Sequence, residues 1–308
     1  MSGRGAGFEN TASVKEFDRL PRLVAWSAVI VASALPAIVW RESGHEFSLW
    51  APVTQCILLA VAALAVLPFP RVTGLSRFLF ALAGLRLGWY FLGPWLETVE
   101  PFRTWLESGN WGVRLLIDRT LPVAGAILSG LTLIGSGLTR RDLFLCPGNL
   151  AAPAGPIPFL GLRKSIPWTV LGPALLVVFG VALPLFLFFT IRPDFAAGGV
   201  ILRFLPWILL VALLNAANEE FQFRNVLLAH LRNSVSPAEG VLMTAVLFGL
   251  GHYYGQPSGP IGVVMAGFAG WIWARSMIET RGFGWALLMH IVQDVVIFCF
   301  LAVAAADS

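Results

Sequence analysis

The chain alternates between long apolar runs and short polar or Gly/Pro-rich turns. Nine apolar segments stand out, at about 20–40, 49–69, 76–96, 114–138, 168–190, 203–231, 238–254, 261–278 and 285–304. About 20 apolar residues cross the hydrocarbon of a bilayer as a helix. The pattern therefore predicts an all-α fold, a polytopic integral membrane helical bundle of about nine transmembrane helices. The segments at 238–254 and 261–278 are the shortest of the set. Pro and Gly fall inside several runs, as membrane helices tolerate. Residues 1–19, rich in Gly, Ser and charge, read as a mobile N-terminal tail. The longest link, Thr139 to Ile166, separates accessory transmembrane helices (20–164) from a working back half (165–308). Ala32-Ser33-Ala34 resembles a signal-peptidase site. Because Glu9, Glu16 and Asp18 precede the apolar part, the first span is expected to remain attached.

Composition strengthens this reading. Only 12% of the 308 residues are charged and 57% are hydrophobic, with a mean hydropathy of +0.78. Soluble domains carry about 25% charged residues. The net charge of +4 does not point to nucleic acid, because the basic residues sit at span ends rather than on one face. The expected environment is the lipid bilayer. Of 21 Lys and Arg, Arg86, Arg119 and Arg224 fall within spans, while Arg41, Arg103, Arg114, Arg192 and Arg203 collect on one side. The remaining thirteen lie on the other side, which places the N-terminus in the cytoplasm. Cys56, Cys146 and Cys299 show neither metal-finger spacing nor a disulfide framework.

One apolar helix breaks its own pattern. After Phe204–Leu214 come Asn215, Asn218, Glu219, Glu220, Gln222 and Arg224. Each charge inside a membrane helix costs about 2.5–3.5 kcal/mol, so partners or a wet cavity must compensate. Glu220 and Arg224 are one turn apart with the acid first, the favourable order for an ion pair. Glu219 lies about 100° around the helix, on the face of Asn215, Gln222 and Phe223, with no cation of its own. Either it is free for chemistry or both acids serve Arg224. Two later segments offer matching groups: Phe248 with His252, and His290 with Asp294 one turn on. His45 and His230 are expected to be solvated. Arg86, Asp118 and Arg119 read as structural, with Asp118 pairing to Arg86. Trp89, Trp95, Trp105 and Trp111 read as markers of the membrane interface.

The ordered set Glu219-Glu220-x-x-x-Arg224, Phe248-x-x-x-His252 and His290-x-x-x-Asp294 resembles the CPBP family of intramembrane proteases. That family includes the type II CAAX prenyl endopeptidases and the bacterial Abi-type proteins. The resemblance covers roughly residues 165–304 and marks the back half as a CPBP-like intramembrane protease core. It implies an endopeptidase acting on a membrane-associated protein or peptide, and a location in a bacterial inner membrane. Carried onto this sequence, it makes Glu219 the general base for a water that His252 also holds. His290 donates to the developing oxyanion, with Asp294 orienting it. Prenyl endopeptidases resemble Asn at the last position, so Asp294 sets prenylated substrates in question. The preferred mechanism needs no cofactor. A catalytic zinc held by Glu219, His252 and His290 is the alternative, since two imidazoles and a carboxylate suit it. An ion-coupled transporter and a non-catalytic membrane scaffold also remain open, because both use buried charge. Oligomeric state is not legible.

Overall fold

A computed structural model describes residues 19–46, 48, 50–69, 72–193, 198–255 and 257–306. The tail expected at 1–19 lies outside these residues except for Arg19, which opens the first helix. The front half comprises α1 (Arg19–Ala32), α2 (Leu35–Glu42), α3 (Trp50–Val66), α4 (Thr73–Leu87), α5 (Gly93–Glu97), α6 (Phe102–Leu106), α7 (Trp111–Thr120) and α8 (Val123–Gly130). The back half comprises α9 (Trp168–Ile191), α10 (Gly199–Glu220), α11 (Val226–Leu231), α12 (Pro237–Gly251), α13 (Gly259–Thr280) and α14 (Gly284–Ala306). Between the halves, two-residue strands at Pro153–Ala154 and Ile166–Pro167 pair antiparallel. The fold is a helical membrane bundle, as the apolar pattern predicts.

Every predicted apolar segment is helical. Among the described residues six helical segments are long and apolar enough to span: 73–97, 111–133, 168–191, 199–231, 259–280 and 284–306. A seventh forms if α1 and α2 count as one span bent by 49°. α3 and α12 are apolar but shorter. The bend has a local cause. Pro36 opens α2, and the Ser33 hydroxyl takes over at the broken ladder, donating to the Ile30 carbonyl (2.8 Å) and accepting from the Leu35 amide (3.2 Å). The residues facing outward on α9, among them Val177, Val181, Leu185 and Phe189, are exposed and apolar. In water this would be a large apolar patch; in a bilayer it meets lipid.

Within the bundle α10 lies between α7 and α14, while α12 packs along α13 and α3 along α4. Two wide π-type turns interrupt long helices, at Gly88–Leu92 after α4 and at Phe221–Asn225 after α10. They face each other: the Trp89 indole N–H donates to Gln222 Oε1 at 2.9 Å. That approach needs two glycines. A Cβ on Gly88 would lie 2.3 Å from the Gly125 nitrogen, and one on Gly125 would lie 2.4 Å from the Trp89 ring. Trp89 is thus a packing and hydrogen-bonding residue inside the bundle, not the interfacial marker expected. Trp95 and Trp105 are exposed.

The long link is stitched to the back half rather than hanging free. Asp142 pairs with Arg232 at 2.6 Å, and the Leu143 carbonyl accepts from the Asn225 amide at 2.5 Å. Glu279 accepts from the Trp168 indole (2.8 Å) and the Gly155 amide (3.1 Å) while pairing with Arg275 (2.9 Å). A capping box of Ser236 and Glu239 starts α12, and Arg22 of α1 clamps Glu239 at 2.7 Å.

Adding a methyl group at Gly88 forces backbone apart, and overpacking of this kind costs about 1–3 kcal/mol. Gly88→Ala is therefore expected to lower the melting temperature of the detergent-purified protein by several degrees. Gly180→Ala, at a position where a Cβ meets nothing within 4 Å, is expected to lower it not at all. Thermal unfolding of the two variants side by side checks this.

Candidate active site

The polar stretch that breaks the apolar pattern sits where α10 passes into the wide turn Phe221–Asn225. A π-type turn adds a residue to one helical turn and redirects the side chains beyond it, and such turns recur at functional sites. Here it carries Glu220, Gln222, Arg224 and Asn225 into the bundle interior, all fully buried. Glu219 is less enclosed, its side chain 14% exposed.

The spacing argument for Glu220 and Arg224 holds in three dimensions. Their Oε1 and guanidinium are 2.6 Å apart, with both side chains buried. Arg224 also lies over two aromatic faces, 4.2 Å from the Phe248 ring centre and 4.9 Å from that of Trp273. Such cation–π contacts offset part of the desolvation of a buried cation. Gly270 of α13 leaves the room, since a Cβ there would lie 2.8 Å from the guanidinium.

Glu220 does a second thing that helix periodicity does not reveal. Its Oε1 also accepts from His290 Nδ1 at 2.7 Å, across from α10 to α14. The same imidazole turns Nε2 toward Glu219 Oε2 at 3.4 Å and Asp294 Oδ1 at 3.7 Å. Its ring stacks on Trp273, centroids 4.1 Å apart and planes 17° from parallel. Glu220 therefore holds the His290 ring, a task expected of Asp294. Asp294 instead takes the Asn215 amide at 3.0 Å.

His252 follows the last turn of α12. Its Nδ1 is 2.9 Å from the Phe248 carbonyl, which can only accept, so Nδ1 carries the proton and Nε2 is left for other partners. The Phe248 ring is the common wall of the cluster, with centroids 4.4 Å from His252 and 6.0 Å from His290. The six residues singled out by sequence thus converge. Glu219, Glu220, Asp294 and His290 meet directly, Arg224 joins through Glu220, and His252 joins across Phe248.

Several expectations at other positions do not hold. His230 is buried and bonded to Thr132 Oγ1 at 2.9 Å, not solvated. Asp118 pairs with its neighbour Arg119 at 3.2 Å, while Arg86 turns to Gln55 and Tyr90. His45 is exposed, as expected. Cys56, Cys146 and Cys299 are free thiols. Sequence reasoning missed Asn215 and Trp273 as members of the cluster. Asn215 carried a signal, an amide one turn before Glu219 in an aliphatic run. Trp273 carried none, being one of many aromatics in an apolar helix.

Residues 201–296 match the protein family described as type II CAAX prenyl endopeptidase Rce1-like. The similarity is confined to this segment, about a third of the chain. The segment contains all six converging residues, and the match bears out the resemblance to the CPBP and CAAX protease family. No curated protein and no solved structure matches the chain. The match supports an intramembrane protease in general. Among the described residues no three His, Cys, Asp or Glu side chains stand where together they could hold a metal ion.

Removing one partner of a buried ion pair leaves the other uncompensated, at a cost of about 3–5 kcal/mol. Arg224→Leu strands Glu220 in the bundle interior and is expected to collapse stability, whereas Glu219→Gln is expected to be nearly silent. Denaturant unfolding in detergent micelles, followed by near-UV circular dichroism, distinguishes the two.

Proposed function

We propose that the chain is an intramembrane endopeptidase that hydrolyses a peptide bond with a glutamate-activated water. The observation that supports this most is the grip on His290, one nitrogen on Glu220 and the other turned to Glu219 and Asp294. In this reading Glu219, the less enclosed of the two acids, is the general base. It takes a proton from a water that also bonds His252 Nε2, and the water oxygen attacks the scissile carbonyl carbon. His290 Nε2–H donates to the oxygen that gains negative charge. The C–N bond then breaks, and Glu219 returns the proton to the leaving amine. Glu220 holds the imidazole ring in place, and Asn215 holds Asp294 beside it. Arg224 holds Glu220 in place through their ion pair.

The division of labour follows. Residues 165–308 form the protease core, and the helices of 20–164 are accessory, with Trp89 bracing the wide turn through Gln222. The substrate is a membrane-associated protein or peptide. Asp294, where prenyl endopeptidases resemble Asn, argues for a substrate range not limited to prenylated chains. An N-terminus in the cytoplasm of a bacterial inner membrane agrees with the distribution of Lys and Arg. The mechanism routes no step through a metal.

Glu219→Gln is expected to lower the rate of peptide-bond cleavage in proteoliposomes by at least about 100-fold, the lower end of what a general base contributes, without changing the melting temperature. Full cleavage by that variant would remove the role given to Glu219. Loss of ion or solute flux with no cleavage by the wild type would favour a transporter instead. In a separate measurement, exhaustive dialysis against a zinc chelator is expected to leave the cleavage rate unchanged. A rate that falls and is restored by zinc would move Glu219, His252 and His290 into a metal site.

A further inference from the structure

A second polar feature lies against Phe223, whose ring meets Phe248 of the cluster above. A cavity of about 230 Å³ opens between the break after α1, the end of α4 and the loop after α12. Its walls include Arg86, Tyr90, Phe223, Gly251, Tyr254 and Gly255. One water occupies roughly 10–15 Å³ by the same kind of measure, so the space suits a ligand group rather than a single solvent molecule.

Arg86 gives the cavity its character. Only 6% of the residue is exposed, yet among the described residues it has no carboxylate partner. One guanidinium nitrogen donates to the Gln55 amide oxygen, the plane lies 3.9 Å from the Tyr90 ring centre, and Nε is buried without a protein partner. Both known contacts are neutral. A buried cation is retained in a membrane protein when it is paired or serves a pathway or ligand. No Asp or Glu lines the cavity. A guanidinium offers a planar fork that fits a carboxylate or phosphate through two parallel hydrogen bonds. Around it the lining is apolar or aromatic apart from Ser33, whose hydroxyl donates to the Ile30 carbonyl, and Tyr254 at the rim is half exposed.

We infer that this cavity binds the anionic head of an amphiphile, a carboxylate or phosphate seated on Arg86 with its apolar body along Phe223 and Tyr254. Two sources share that chemistry: the free carboxylate at the end of an apolar peptide, and the phosphate of a lipid. The site is separate from the bond-breaking groups, although it shares the Gly251–Gly255 loop that carries His252. Its occupancy does not require that Glu219 be a base.

The test uses the full chain in zwitterionic phosphatidylcholine nanodiscs, with decanoate, decyl phosphate and the neutral decanamide as probes. Binding is counted by native mass spectrometry and by thermal shift. Wild type is expected to bind at least one of the two anions ten-fold or more tighter than decanamide. Preference for decanoate assigns the site to peptide carboxylate, and preference for decyl phosphate assigns it to lipid. Arg86→Gln is expected to erase the preference. Ala34→Phe, which fills the cavity from the α1 side and leaves the guanidinium in place, is expected to lower anion binding by a similar factor. It carries the test should Arg86→Gln fail to fold. A wild type that does not distinguish anion from amide, or a preference that survives the substitutions, would overturn the inference.

Discussion

A charged group in the interior of a membrane bundle must be matched within the protein, because lipid offers it nothing. In this chain the match is made at one oxygen. Glu220 Oε1 meets the Arg224 guanidinium on its own helix and the His290 imidazole from the last helix. Phe248 and Trp273 close over the cation, so four helical segments (α10 with its wide turn, α12, α13 and α14) contribute to one small volume. Remove that oxygen and two cationic or polar groups lose their partner together. The surrounding helices have little else to fix their relative rotation, since membrane helices find no hydrophobic gain in packing against one another rather than against lipid.

This also explains why the two adjacent acids differ. Neighbouring positions on a helix point about 100° apart, so Glu220 faces the interior and is consumed by structural contacts. Glu219 faces the margin, touched by His290 at longer range. The pair separates a holding role from an available one within two consecutive residues.

Much of this was legible in the sequence, and the remainder was hidden for identifiable reasons. The apolar runs marked every helical segment except the short α6, because the period and length of hydrophobic stretches are local properties. The lengths of α3 and α12 were less legible, because hydropathy does not report where a helix ends in depth. Within α10 the Glu220–Arg224 contact followed from a separation of four. The His290–Glu220 contact did not, since helical spacing says nothing about neighbours on another helix. His230 and Trp89 were misread for the same reason: each has a cross-helix partner, Thr132 and Gln222. Neither wide turn has a composition that distinguishes it from ordinary helix.

The turn at Phe221–Asn225 has a consequence for how this chain can change length. Five residues there occupy the arc that about four would take in a regular helix. Excision of one of them would let the ladder close into uninterrupted α-helix while rotating everything downstream, α11 and its buried face included, by about one residue's angle. Excision ahead of Arg224 would leave it three residues after Glu220 rather than four, still a neighbour, while the buried side chains beyond would turn away from their present partners. The segment is intolerant of indels in a way that its exchangeable-looking aromatic and amide side chains do not betray.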